Sequence, residues 1–233
     1  NKIFKEKKNN LQNKKFILVA TQFLKYNRAE NNFESFDKIK FEKTIAQKHK
    51  KNKFTKGKNF KNELNNFARR FTFQEKNFLE YDKMYNFLCN KFPNELFLVI
   101  PHPGEGIQYY KNLEKKFKNL KIITDNNNII NWILASKLLI SCNCTTSIES
   151  RLLGKSSINY MPYRDPKAEF ELSKLTSFNV SKLDVLAKVI KEKTYTRFRL
   201  DKKKESQITH NLENFGKKYG VDQIISNLKK IKI

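Results

Sequence analysis

Two short polar stretches of this chain carry residue types that bind phosphate. The first is PHPGEG, residues 101–106, directly after the apolar run 96–100. The second is CTTS, residues 144–147, one residue after the predicted strand 137–142. An imidazole ring donates hydrogen bonds to phosphate oxygens, and hydroxyls beside the free amides of a helix's first turn bind anions. We therefore expect nucleotide or phosphate binding by His102, Pro103, Gly104, Thr145, Thr146, Ser147 and Glu149.

Each candidate also has a structural explanation. His102 lies between two prolines, which turn the chain sharply, so its ring would equally pack at the turn. Thr145 or Thr146 is a typical N-cap, and Thr146 with Glu149 fits the capping-box pattern Thr-x-x-Glu. Glu149 would alternatively accept hydrogen bonds from the hydroxyls of a ribose. The sequence leaves these alternatives open.

No catalytic residue is evident from the sequence. Glu105 and Asp125 are general bases only if a substrate lies beside them, and their spacing does not indicate one. The sequence contains no recognisable Ser/His/Asp arrangement, zinc motif or phosphate-loop lysine motif.

The elements that position these residues alternate between strand and helix. Apolar runs predict strands at 16–20, 96–100, 120–124, 137–142 and 157–160. Helical spacing predicts helices at about 63–92, 107–117, 129–133 and 145–154, and again from Leu183 to Ile190. This order predicts an α/β fold, a Rossmann-like parallel sheet with helices on both faces. The two polar stretches then lie at the same end of the parallel sheet, where such sheets bind nucleotides.

Composition and pattern divide the chain into three parts. Residues 1–15 are predicted to be a leader or the remnant of a preceding lobe. Residues 16–200 form the predicted nucleotide-sugar-binding domain, with an irregular insertion at 23–62. Residues 201–233 are predicted to form closing helices at the carboxyl terminus.

The chain is strongly basic. Its 233 residues include 48 Lys and Arg against 23 Asp and Glu, giving a net charge of +25, and lysine supplies nearly all of it. Sites that read nucleic acid favour arginine, so this composition argues against specific nucleic-acid recognition. An AT-rich coding bias explains the abundance of Lys, Asn, Ile and Phe, whereas an acidic membrane surface or a polyanionic ligand would give the charge a function.

The cysteines and apolar runs bear on location. Cys89, Cys142 and Cys144 have no metal-binding or disulfide spacing, which favours a reducing cytoplasm. No apolar run approaches the roughly 20 residues of a membrane span, and no signal-peptide pattern is seen. We expect a cytoplasmic protein that lies peripherally at the inner face of the cytoplasmic membrane.

Four segments together resemble a known family. They are IPHPGE at 100–105, WILASK at 132–137, NCTTSIESRLLGK at 143–155 and YMP at 160–162. They are similar to the carboxyl-terminal half of bacterial surface carbohydrate biosynthesis proteins, of the two-lobed GT-B glycosyltransferase type. These proteins are related in pattern to the Kdo transferases of capsule and lipopolysaccharide synthesis and to bacterial sialyltransferases.

The resemblance implies roles for particular residues. His102 with Pro103, and Thr145 with Thr146, would hold the phosphate of a nucleotide sugar, and Glu149 would meet the ribose. A CMP-sugar such as CMP-Kdo or CMP-sialic acid is favoured and a UDP-sugar is the second choice, with no bound cofactor or metal.

The chain departs from the family in two places. Ser156 stands where these proteins usually have proline, and the amino-terminal lobe with the acceptor site and catalytic base has no counterpart. We therefore expect a donor-binding lobe that is inactive alone. Its partners would be a nucleotide sugar, a glycan or lipid-linked acceptor, an anionic membrane surface and the missing lobe. The alternatives are a nucleotide-sugar epimerase of similar fold and a basic RNA-binding or scaffold protein.

Overall fold

A six-stranded parallel sheet forms the centre of the protein. The computed structural model describes residues 16–27, 58–124, 129–199 and 206, without the side chains of 58–61 and 64. The strands are β1 Ile17–Ala20, β2 Phe97–Ile100, β3 Leu120–Ile122, β4 Leu138–Ser141, β5 Ser157–Tyr160 and β6 Phe178–Val180. Their order is β3-β2-β1-β4-β5-β6, and every neighbouring pair is parallel. The predicted α/β, Rossmann-like fold class is confirmed.

Helices follow the strands along the chain. They are α1 Lys58–Lys91, α2 Ile107–Lys116, α3 Ile129–Ala135, α4 Thr146–Leu152, α5 Glu171–Thr176 and α6 Leu183–Glu192, with a 3₁₀ turn at Thr194–Arg197. The chain divides into two compact units, Asn1–Thr196 and Arg197–Ile233. The sheet and these six helices belong to the first unit.

The central strand shows why helices cover both faces. Side chains alternate along a strand, and all four residues of β1 are buried. Ile17 and Val19 belong to the larger apolar cluster, which includes buried side chains of α1, α2 and α6. Leu18 and Ala20 belong to a second cluster with Trp132 and Ile133 of α3, among others. A strand with no polar face is stable only between two layers, as the continuous apolar run predicted.

Helix α1 packs on the sheet through the face that its spacing predicted. Tyr81, Met84, Tyr85 and Leu88 are at most 2% exposed. The helix ends at Lys91, two residues before Pro93, which cannot continue it. Its first residue is Lys58, so it begins inside the segment expected to be irregular up to residue 62.

Several predicted boundaries and one pair of elements need correction. Strands β1 to β4 are one to two residues shorter than predicted, because only part of each run pairs with a neighbour, whereas β5 has the predicted bounds. Helix α5 and strand β6 were not predicted, since β6 is a three-residue edge strand with one buried side chain, too short for a pattern. The predicted leader, most of the 23–62 insertion, Asp125 and nearly all of 201–233 lie outside the described residues.

Candidate functional site

Loops at the carboxyl ends of the strands surround a cavity. The strand order reverses between β1 and β4, because the chain passes from β1 to β2 and β3 on one side and resumes with β4 on the other. Loops leaving such a switch point diverge and open a crevice, where α/β sheets of this kind bind ligands. A cavity of about 360 Å³ lies here, lined by the loops after β1, β4 and β5 and by α1.

The cavity has an apolar part and a rim of hydrogen-bond donors. Half-buried Phe170 supplies aromatic surface, while Phe23 and Phe73 also line the cavity but are only 2% and 3% exposed. The polar lining includes Lys25, Arg70, Gln74, Asn143, Thr145 and Lys167. Amides, hydroxyls and cations beside aromatic surface suit a ligand that has both a ring and anionic or hydroxyl groups.

Glu105 joins the loops after β1 and β2. Its Oε1 accepts hydrogen bonds from Thr21 Oγ1 at 2.9 Å, Phe23 N at 3.0 Å and His102 N at 3.1 Å. Its Oε2 accepts one from Tyr110 Oη at 2.5 Å. The residue is 4% exposed, and burial raises the pKa of this carboxyl although the four donors oppose the shift. Both carboxylate oxygens of Glu105 therefore accept hydrogen bonds from groups inside the protein. We assign this residue a structural role, joining the loops after β1 and β2.

The His-Pro-Gly turn lies on the β2 side of the edge. His102 Nδ1 accepts a hydrogen bond from Gly104 N at 3.2 Å, which leaves Nε2 to carry the ring's proton. A Cβ on Gly104 would lie 2.4 Å from Leu24 Cδ1, so the turn packs closely against the loop after β1. Pro103 is exposed. The ring of His102 therefore packs at the turn. None of His102, Pro103 and Gly104 lines the cavity.

The hydroxyl cluster lies on the β4 side and divides into exposed and buried members. Thr145 is the N-cap residue of α4, is exposed, lines the cavity and makes no side-chain capping bond. Ser147 is fully buried, donates to Cys144 O at 2.8 Å and lies 3.3 Å from Thr176 Oγ1. Thr146 Oγ1 is buried and has no hydrogen-bond partner among the described residues. Of the predicted binding residues, only Thr145 lines the cavity.

Glu149 lies on α4, one turn after Thr145. Its Oε2 is buried and has no hydrogen-bond partner in the described part of the chain. Burial raises the pKa of this carboxyl. Thr146 and Glu149 do not form a capping box. The N-cap residue of α4 is Thr145, and its side chain makes no capping hydrogen bond.

We expect Glu149→Gln to stabilise the protein at neutral pH by at most about 1 kcal/mol, because it removes the charge of a half-buried carboxyl whose Oε2 has no partner among the described residues. A raised pKa stabilises the folded state only while the carboxyl is protonated, so this stability is lost as pH rises through the folded pKa. The gain should therefore be present at pH 7 and disappear below the ordinary pKa of glutamate, about 4.3. Urea denaturation at pH 4 and pH 7 measures it, and an equal change at both values would contradict the prediction.

The loop after β5 forms one wall of the cavity and is held by Asn143. Asn143 Nδ2 donates to Ala168 O at 3.0 Å, and Oδ1 accepts from Phe170 N. Its own N–H donates to Asn159 Oδ1 of β5 at 3.0 Å. Asn143 has φ 52°, a left-handed conformation that asparagine tolerates better than most residues. The bend turns the chain from β4 toward α4 and places Thr145 at the cavity.

Helix α1 forms another wall of the cavity, and the loop after β5 is bonded directly to it. Asn77 is fully buried; its Nδ2 donates to Tyr163 O at 3.0 Å and its Oδ1 accepts from Tyr163 N at 3.1 Å. Lys76 Nζ lies 4.3 Å from the centre of the Tyr163 ring. Arg69 Nε and Asp165 Oδ2 are 3.6 Å apart. The two walls are therefore fixed relative to each other.

Sequence reasoning missed the basic and amide residues of these walls. Arg70, Gln74 and Lys167 belong to no motif, and they come from a helix and a loop far apart in the chain. Arginine is scarce in this lysine-rich chain, and the adjacent pair Arg69-Arg70 is the sequence signal that could have marked this part of α1 as a candidate anion site.

The remaining nucleophile and metal candidates are buried or dispersed. Cys89, Cys142 and Cys144 are free thiols and are buried. Burial raises the pKa of Cys89 to about 12 and raises those of Cys142 and Cys144, so all three stay protonated near neutral pH. Across 16–27, 58–124 and 129–199, no three His, Cys, Asp or Glu side chains group as a metal site. No described helix combines the length and apolar character needed to cross a membrane.

Comparison with known protein families finds no family model that matches this sequence. Comparison with curated proteins likewise finds no significant match.

Proposed function

We propose that this chain is the donor-binding lobe of a sugar transferase and that it holds a nucleotide sugar in the cavity between β1 and β4. The supporting observation is the position of the cavity at the switch point of a parallel sheet, with Thr145 on its lining. The resemblance in 100–105, 132–137 and 143–155 supplies the transferase part of the proposal. CMP-sugars are favoured and UDP-sugars are the second choice.

Sugar transfer breaks the bond between the anomeric carbon and a phosphate oxygen and forms a bond to an acceptor hydroxyl. Negative charge develops on the leaving phosphate, and donors fixed in advance stabilise it. Thr145 and the cationic lining would supply such donors. Glu105 is fully occupied by four donors, so it is not the base in this proposal. The base and the acceptor site would belong to a second lobe.

The proposal also concerns location. We place the protein at the cytoplasmic face of a membrane, where a net charge of +25 would favour contact with anionic lipids and lipid-linked acceptors. The acceptor would then be part of a surface polysaccharide.

Calorimetric titration of the full chain with CMP, UDP and ADP at 0.15 M and 0.3 M salt tests the proposal. We expect one nucleotide to bind best and to retain its preference at the higher salt. Thr145→Val, which keeps the shape of threonine, should weaken binding about 3- to 10-fold through the loss of one hydrogen bond. CMP preference would favour the Kdo or sialyl type, and UDP preference with sugar interconversion would favour an epimerase.

His102 is tested in the same titration. The resemblance predicts that His102→Ala weakens nucleotide binding, whereas its turn contact predicts an effect on stability alone. His102→Asn, whose side-chain oxygen can still accept from Gly104 N, serves as the matched control. Binding that is equal in all three proteins would remove His102 from the site. Equal, strongly salt-dependent binding of every polyanion would reject the transferase proposal and favour a basic scaffold.

A further inference from the structure

Two cations line the cavity from different segments of the chain. Arg70 lies on α1 and Lys167 on the loop after β5, and both are exposed. Among the described residues neither side chain has an acidic partner, whereas neighbouring Arg69 is paired with Asp165. The third cation of the lining is engaged elsewhere, because Lys25 Nζ lies 4.8 Å from the centre of the Phe67 ring.

The single carboxylate of the lining is already neutralised. Glu169 accepts two hydrogen bonds from Arg164, at 2.7 and 2.8 Å, and Lys174 Nζ lies 3.1 Å from it. Its side chain is 1% exposed, and the Arg164 guanidinium holds the pKa of this carboxyl below its ordinary value. Glu169 therefore neither pairs with Arg70 or Lys167 nor competes with an incoming anion.

The walls that carry the two cations are held in place without a ligand. Asn77 and Tyr163 join α1 to the loop after β5 through two hydrogen bonds. Asn143 joins the same loop to the end of β4. Donors fixed before binding lose less conformational freedom on binding, so they hold a ligand more tightly.

The neutral lining adds donors beside these cations. Gln74 Oε1 accepts from Lys25 N at 2.6 Å, which leaves the Gln74 amide hydrogens for a ligand. A guanidinium matches the oxygens of phosphate in a bidentate geometry, and an ammonium acts beside it as a point charge. A phosphoryl group has the multiple acceptor oxygens that this set of donors requires.

We propose that Arg70 and Lys167 hold the phosphate of the ligand between α1 and the loop after β5. This inference rests on the proposed nucleotide-sugar function, and it moves the phosphate from the His-Pro turn to the opposite side of the β1 loop. The half-buried ring of Phe170, which also lines the cavity, is then available to the ring portion of the ligand.

Titration of the full chain with pyrophosphate, and separately with CMP and UDP, tests the assignment. Arg70→Gln and Lys167→Gln should each weaken pyrophosphate binding about tenfold, because each removes a charge-assisted hydrogen bond. Lys118→Gln is the matched control, an exposed lysine outside the cavity lining that removes the same charge. Both cavity residues are exposed, so thermal melting should remain that of the unaltered protein.

The outcomes separate this inference from the proposed function. Pyrophosphate binding that is unchanged in both cavity variants, or reduced equally in Lys118→Gln, would overturn the assignment. Nucleotide binding weakened by Thr145→Val but not by Arg70→Gln would leave the function standing and overturn the assignment. Arg70-dependent pyrophosphate binding without any nucleotide preference would support the assignment and reject the nucleotide-sugar function.

Discussion

Glu105→Ala is expected to lower the free energy of unfolding by about 4 kcal/mol, the largest effect of any single change considered in this chain. The substitution leaves the N–H groups of Phe23 and His102 without their acceptor inside the protein. It also removes the acceptor of Tyr110 Oη, whose residue is fully buried. Each buried polar group left without a partner costs about 1–3 kcal/mol. Urea denaturation followed by circular dichroism measures the loss.

Glu105→Gln separates the acceptor role from the charge. Glutamine keeps an oxygen for the three donors on Oε1, and its amide can donate to the oxygen of Tyr110. We expect this variant to unfold within about 1 kcal/mol of the unaltered protein at pH 7. A loss as large as that of the alanine variant would mean that the charge, not the acceptor, holds the two loops together.

The pH dependence of Glu105 has a definite sign. Burial raises the pKa of this carboxyl in the folded state. The protonated carboxyl therefore contributes fully to the free energy of unfolding below the ordinary glutamate pKa. That contribution is lost as pH rises through the folded-state pKa. The stability of the Gln variant relative to the unaltered protein should therefore increase over that pH range. A constant difference between the two proteins across it would contradict the assigned direction.

Asn143→Ala is expected to destabilise the protein by about 3 kcal/mol and to weaken ligand binding with it. Alanine supplies no acceptor for Phe170 N and no donor for Ala168 O, and it is disfavoured at φ 52°. Asn143→Gly loses the same side-chain bonds but adopts the conformation freely, so it should lose about 1 kcal/mol less. Unfolding measurements compare the two, and equal losses would show that the left-handed conformation costs alanine nothing.

The binding consequence of Asn143 is measured separately. Both variants release the loop that carries Lys167 from the end of β4, so pyrophosphate affinity should fall in both by a similar factor. Unchanged affinity in the two variants would mean that the contacts of Asn77 with Tyr163 suffice to hold the loop.

Most of the sheet could be predicted from the sequence because strands buried on both faces are rich in apolar residues. Strands β1 and β2 lie within uninterrupted apolar runs, β3, β4 and β5 lie within mixed runs that the sequence also predicted as strands, and α1 shows its buried face in Tyr81, Met84 and Leu88. Strand β6 shows no such apolar run, because an edge strand of three residues buries too few side chains to constrain its composition.

The site was predicted in part, because strand order cannot be read from apolar runs. His102 and Thr145 both follow strands at the expected edge, yet β1 lies between β2 and β4. Neighbouring strands are about 4.8 Å apart, so the two loops leave the sheet about 10 Å from each other. Thr145 therefore lines the cavity and His102 does not. Arg70 reaches the cavity through the packing of α1 and Lys167 through the loop after β5, and no local sequence pattern predicts either contact.

The place of β1 in the sheet has a consequence for how the chain folds. Ile17 pairs with Phe97 on one side and with Leu138 on the other, so both sheet partners of β1, the first strand of the described residues, are far from it in sequence. Contacts between distant parts of a chain form only after long loops close, and sheets built from them fold slowly. During synthesis, the apolar β1 must remain unpaired until the ribosome has released β2 and then β4. Refolding should therefore be slow, and a nascent chain that ends before β4 should be a substrate for chaperones.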